Sequence, residues 1–195
     1  LNLATRAARA AGLRSGVTTQ FVAGAAGEPH RELLRASWRL YQELGLRRVY
    51  YSGFRPVEGS PLQDVPALPD LHQHRLYQAD WLLRFYGFSF DELVFDAEGN
   101  LPERQDPKLA WAAAHPDFFP VDLASASYEE LLRVPGIGPI TARRLMEARS
   151  DDQLSDWQSV RRLGVRLGKT GPFVTLRGRL PGDQLTLPLA AEATA

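Results

Sequence analysis

The chain of 195 residues contains no cysteine. It therefore forms no disulfide or thiolate-rich zinc site, and it cannot hold an iron-sulfur cluster with its own thiolates; the absence says little about compartment. Net charge is also absent, with 23 Lys and Arg against 23 Asp and Glu, so the molecule as a whole offers no bulk attraction to a polyanion. No signal-peptide core and no transmembrane run interrupts the sequence, so no membrane partner is expected and the cytoplasm is the expected compartment. There is no nucleophile elbow and no P-loop. The four histidines are His30, His72, His74 and His115. His72 and His74 lie two apart, which on a helix sends them to different faces rather than to one metal, and all four read as solvated surface groups. Asp91 and Glu92 follow Ser89 as helix-start carboxylates of a capping box rather than as an acid/base pair. The sequence assigns no catalytic residue and no metal ligand.

What the chain does contain is concentrated in Leu131 to Met146, LLRVPGIGPITARRLM. Ser127 with Glu130 makes a capping box for a short helix with an apolar stripe through Tyr128, Leu131, Leu132 and Val134. Pro135 forbids its continuation. Gly136 and Gly138 flank Ile137, giving two backbone hinges with an apolar peg between them. Pro139 suits the first turn of the next helix, whose inward face is Ala142, Leu145 and Met146. The N–H groups at that helix start, unobstructed beside Gly138 and assisted by the helix dipole, suit a phosphate. The pattern resembles the helix-hairpin-helix motif of DNA repair and DNA uptake proteins, and Val121 to Ser127, VDLASAS, resembles its usual lead-in. The resemblance implies DNA contacts at Pro135, Gly136, Ile137, Gly138, Pro139 and Ile140, with Thr141, Arg143 and Arg144 as auxiliaries. An ordinary helical hairpin used for packing is the alternative.

The distribution of charge favours an interface at this end. Leu131 to Leu180 holds ten Lys or Arg against four acids, so the neutral total conceals a basic carboxyl-terminal region and an acidic remainder. Behind the first hairpin, Trp157, Val160, Leu163, Gly164, Val165 and Leu167 repeat its rhythm as a degenerate second copy. No glycine stands two residues before Gly164, and Gly168, Gly171 and Pro172 weaken the following helix. The alternative is one hairpin followed by a strand-like tail, Phe173 to Leu180.

The first half alternates differently. Thr18 to Ala23 is β-rich and ends in a glycine-containing turn. Pro29 opens a helix with Leu33, Leu34, Trp38, Tyr41 and Leu44 on one side, Gly45 closes it, and Arg47 to Phe54 reads as a second strand, so a parallel strand-helix-strand unit is expected. Two strands do not complete a sheet covered on both faces, so further strands are required and the chain reads as a carboxyl-terminal fragment. Leu1 to Gly12 is an amphipathic helix, and Pro56 to Pro69 an ordered connection. Asp70 caps a helix bearing Leu71, Tyr77, Trp81 and Phe85 as core aromatics and aliphatics, and Asp106-Pro107 starts another with Leu109 and Trp111.

FVAGAAGEPHRELL (21 to 34) and VYYSGFRPVEGSPL (49 to 62) resemble the last barrel strands of radical S-adenosylmethionine proteins. With HRLYQADWLLRFYGF (74 to 88), DPKLAWAAAHP (106 to 116) and the terminal hairpin, most of the chain resembles the carboxyl-terminal part of one such family, DNA modification or repair proteins associated with a uracil-DNA glycosylase-like partner. The resemblance implies a fold of class α/β plus all-α: a partial β/α barrel over 1 to 69, a helical linker over 70 to 120, a helix-hairpin-helix module over 121 to 180 and a disordered tail over 181 to 195. It implies S-adenosylmethionine near Gly24, Gly27, Glu28, Ser52 and Phe54, and a four-iron four-sulfur cluster in the full-length parent. The absence of cysteine departs from that family and makes radical chemistry by this chain alone an unsupported expectation.

Overall fold

The structure is a computed structural model that describes residues 2–12, 16–151 and 153–182. The chain divides into two compact units, Leu1–Pro116 and Asp117–Ala195. The first is α/β: α1 (Asn2–Ala10), β1 (Thr18–Ala23), α2 (His30–Leu44), β2 (Arg48–Gly53), α3 (Asp70–Phe85) and α4 (Pro107–Ala114). β1 and β2 pair in parallel from Thr18 opposite Arg48 to Ala23 opposite Gly53, as the strand-helix-strand reading requires. Gly45 closes α2 in the left-handed region (φ 61°), its N–H donating to the Tyr41 carbonyl while Leu46 N–H reaches Leu40. Only a residue tolerant of positive φ ends a helix this way.

One face of this sheet is core. Ala23, Val49 and Tyr51 are buried with Leu33 and Leu34. Polar side chains inside are linked in networks: the Tyr51 hydroxyl donates to Ser37 Oγ (2.7 Å), which donates to the Leu33 carbonyl (2.9 Å). Asp80, fully buried, accepts from the Tyr41 hydroxyl and pairs with Arg84 at 2.6 Å. The other face leaves Val22 and Tyr50 exposed, and among the described residues β1 and β2 pair only with each other. No barrel is present among the described residues. Of the expected partial barrel the described residues hold a two-stranded parallel sheet, and closure needs strands that nothing described supplies.

α3 corrects two further expectations. Asp70 is its first residue rather than its cap, and its carboxylate pairs with Arg55 instead. Leu71, Trp81 and Phe85 do share one face, but that face is exposed; Leu76, Ala79, Leu82 and Leu83 are the buried set. At 100° per residue the two sets occupy neighbouring arcs centred roughly 130° apart, with Leu82 next to Leu71 at their border, and the arc bearing the small Ala79 is the one that packs inward. In α4 the Asp106 carboxylate caps by accepting from Leu109 N–H (2.9 Å) behind Pro107, as the sequence indicates. No described helix is long and apolar enough to cross a membrane.

The second unit contains β3 (Val121–Asp122), α5 (Tyr128–Arg133), α6 (Pro139–Ser150), α7 (Trp157–Arg162), α8 (Leu167–Thr170) and β4 (Val174–Thr175). β3 and β4 pair in parallel and bring the start and end of the helical array together. Asp122 fastens this closure: its carboxylate accepts from the N–H groups of Ala124 (2.8 Å), Arg177 (3.0 Å) and Gly178 (2.7 Å). Burial pushes this carboxyl up, but those N–H groups outweigh it and hold it below the usual range. The core is Leu123, Leu131, Leu132, Val134, Ile137, Ala142, Leu145, Val160 and Val165. Met146, expected inside, is half-exposed, because the buried face of α6 steps by threes through Ala142, Leu145 and Ala148. Of the tail expected over 181 to 195, residues 183–195 lie outside the described residues.

Candidate nucleic-acid interface

The first hairpin is built from the residues that the sequence singles out. Ser127 accepts from Glu130 N–H (3.1 Å) while the Glu130 carboxylate accepts from Ser127 N–H (2.6 Å), completing the capping box of α5. α5 ends before Pro135, Gly136 turns the chain at φ 88°, and Ile137 is buried between the helices (1% exposed). Gly138 is the N-cap of α6, extended at φ −107° and ψ 177°, with Pro139 in the first turn and no side chain capping the helix. The N–H groups of that turn point out past a residue without a side chain, and a twelve-residue helix stands behind them. Around this end Ile140 is 67% exposed, Arg143 and Arg144 are exposed, and Thr141 is half-buried.

The degenerate copy is a real second hairpin. The Asp156 carboxylate caps α7 by accepting from Ser159 N–H (2.7 Å), Gly164 turns at φ 98°, and Val165 is buried where Ile137 stands in the first copy. Arg166 occupies the N-cap position held by Gly138, and α8 stops after four residues as Gly168, Gly171 and Pro172 predict. The two hairpins pack reciprocally. A Cβ on Gly136 would stand 2.5 Å from Thr170 Oγ1 and 3.6 Å from Lys169 of α8, and one on Gly164 would stand 3.8 Å from Arg144 Nη1 and 4.0 Å from Thr141 Oγ1 of α6. Each turn glycine faces the second helix of the other hairpin.

The structure thereby separates the roles of two glycines that the sequence treats alike. Gly136 needs to be glycine for its backbone angle and for Thr170, whereas the Gly138 backbone, at φ −107°, is one that any residue adopts. The role of Thr170 was not legible, since its signal is a threonine in a four-residue helix broken by glycines.

In the first unit, Gly24, Gly27 and Glu28 do come together in one turn. Gly24 (φ 88°) and Gly27 (φ 72°) shape it, and the Glu28 carboxylate accepts from the N–H groups of Gly24 (2.7 Å) and Ala26 (3.0 Å). Ser52 Oγ, on β2, accepts from Gln20 Nε2 (2.8 Å), and Phe54 follows, its N–H donating to Ala23. The Glu28 carboxylate and the Ser52 hydroxyl thus have partners within the chain.

The histidines are not all solvated. His30 is 3% exposed: its Nδ1 accepts from Leu101 N–H (3.0 Å), which leaves Nε2–H to donate to His72 Nδ1 (3.2 Å), and His72 Nε2–H then donates to Glu103 (2.9 Å). Burial, with the neighbouring His72, lowers the His30 pKa to about 4. His30 lies 42 residues from His72 and 71 from Leu101, so only tertiary folding assembles the chain. His115 stacks on Trp111 at 4.3 Å. Among the described residues no group of three His, Cys, Asp or Glu could hold a metal ion.

A capped helix, a glycine turn and a second helix whose start no side chain caps define a helix-hairpin-helix module. The helix-hairpin-helix motif family matches residues 121–148. No curated protein and no solved structure matches the chain, and no match to a radical S-adenosylmethionine or glycosylase-associated family accompanies the motif. The motif supports DNA as a partner of this chain.

Proposed function

We propose that this chain binds DNA without reading its sequence, by seating a backbone phosphate on the N–H groups of the Gly138 to Thr141 turn. The observation that carries the reading is the uncapped start of α6 beside Gly138. Exposed Arg143 and Arg144, one turn on, supply long-range attraction, and exposed Ile140 offers an apolar contact beside the phosphate. Such contacts position a protein on a duplex without discriminating bases.

Gly138→Asp tests this directly. Aspartate is among the best N-caps, so α6 should keep or gain stability by a few tenths of a kcal/mol or more. The same carboxylate occupies the anion position, so affinity for unrelated duplexes should fall by about tenfold or more, and wild-type affinity should drop steeply with salt. Undiminished binding by a stable Gly138→Asp variant sinks the phosphate cradle.

The parent activity is a separate part of the reading. Within a DNA modification or repair radical S-adenosylmethionine protein, β1, α2 and β2 would form part of the barrel, and a uracil-DNA glycosylase-like protein would be the partner, in the cytoplasm. The parallel strand-helix-strand unit and the Gly24 to Glu28 turn support it. The cluster does not fit this chain, which has no cysteine ligand, and the Glu28 and Ser52 oxygens already accept internal hydrogen bonds. No catalytic step is therefore derived from these residues. A CxxxCxxC stretch encoded before Leu1 is the observation this part requires.

A further inference from the structure

The outward face of α3 is not the core surface that its spacing suggests. Trp81 and Phe85, expected inside, stand 49% and 46% exposed, with ring centroids 4.8 Å apart and planes tilted by 51°. His74 and Gln78 share their face: at 100° per residue positions 74, 78, 81 and 85 fall within an arc of about 60°, along about 16 Å of helix. His74 is exposed and Gln78 half-buried. Phe85 also lines a groove of about 410 Å³ with Tyr41, Gln42, Leu46, Arg47 and Arg84, and no acid lines it.

The charge around these rings is basic. The Arg84 guanidinium lies over the Phe85 ring at 4.6 Å, and that of Arg48 lies over Tyr50 at 4.4 Å and over Tyr77, one turn before Trp81, at 5.8 Å. Asp80 balances Arg84, Glu43 on α2 is paired with Arg39 at 3.0 Å, and Asp70 is paired with Arg55. With Arg47 and Arg48 added, the surroundings of the rings are net positive. An aliphatic patch would suit a folded protein partner. Half-exposed rings beside guanidinium groups, with an imidazole and an amide on the same face, match instead the way single-stranded nucleic acid is held, with bases stacked on rings and the backbone drawn to positive charge.

We infer that Trp81 and Phe85 form a stacking platform for the bases of an unpaired DNA strand. Trp81 offers the larger stacking surface, since Arg84 already covers one face of Phe85. Arg47 and Arg48 attract the phosphates, and His74 and Gln78 offer hydrogen bonds to base edges. Every base has a π-face, so the platform tolerates any sequence, but a base stacked within a duplex presents no free face. The choice of DNA as the occupant rests on the hairpin reading; the platform itself is built from the first unit alone.

The test uses the full chain and an oligothymidylate of about 12 nucleotides, which forms no duplex with itself. Wild type should bind it with quenching of tryptophan emission. Trp81→Ala should weaken binding by roughly 5- to 150-fold and remove most of the quenching, whereas Trp81→Phe keeps a ring and should stay within about threefold of wild type. Trp81→Ala should leave the slope of log affinity against log salt unchanged, and Arg48→Gln should reduce it by about 0.7. Both rings are half-exposed, so these variants should keep their fold; if Trp81→Ala does not, Phe85→Ala and Trp81→Phe carry the comparison. Gly138→Asp separates the two readings. The loss caused by Trp81→Ala should persist in that background, while duplex binding should respond to Gly138→Asp and not to Trp81→Ala. A wild type that ignores the oligothymidylate, or affinities that Trp81→Ala and Phe85→Ala leave unchanged, overturns the platform. So does a Trp81→Ala variant that alters only self-association in sedimentation, which would make this face a contact between copies of the chain.

Discussion

Gly136→Ala probes the contact between the two hairpins. An alanine there pays twice: about 1–2 kcal/mol for holding an L-residue in the left-handed region, and a steric term because its Cβ would lie 2.5 Å from Thr170 Oγ1. Thr170 is fully buried, so it relieves the overlap only by leaving its rotamer or shifting α8, at about 1–3 kcal/mol. The sum is roughly 2–5 kcal/mol. Thr170→Ala removes the offending atom, and because that hydroxyl has no hydrogen-bond partner among the described residues its own cost should stay within about 1 kcal/mol. In the Thr170→Ala background Gly136→Ala should then cost only the backbone term, leaving a coupling of about 1–3 kcal/mol. Urea titration read by hydrogen exchange at the α5 and α6 amides reports this unit alone. An equal cost of Gly136→Ala in both backgrounds refutes the reciprocal packing.

Two further outcomes concern the first unit. Asp80→Ala strips the buried partner from Arg84 and the acceptor from the Tyr41 hydroxyl, so it should destabilise that unit by about 3–5 kcal/mol in denaturant titration, and a loss under 1 kcal/mol contradicts the network. His30 has its folded pKa lowered to about 4 from 6.5, so the unfolded chain binds the proton first as pH falls. The stability this residue contributes is therefore complete above about pH 6.5 and declines toward pH 4, by at most about 3 kcal/mol. A stability profile for His30→Gln with the same slope as wild type over that window removes His30 as its source.

The hairpin was legible because its instructions are local. Ser127 and Glu130, Pro135, the paired glycines and Pro139 act within a few residues of where they stand, through capping, steric exclusion and backbone freedom. The strand-helix-strand unit was legible for the same reason, down to the closure at Gly45. α3 was not, because it carries two apolar faces and periodicity reports their existence without saying which meets the sheet. The barrel expectation rested on resemblance, and the described strands find only each other.

Sequence alone thus determined most of the elements, the caps at Ser127, Asp106 and Gly45 and the turn that suits a phosphate, all of them short-range consequences of side-chain and backbone chemistry. Tertiary structure alone decided which groups meet across long stretches of chain: Thr170 against Gly136, His30 between Leu101 and His72, and Asp122 beneath the turn at Arg177. Those meetings depend on how whole helices pack, and no local pattern encodes the sum of many weak contacts that sets it.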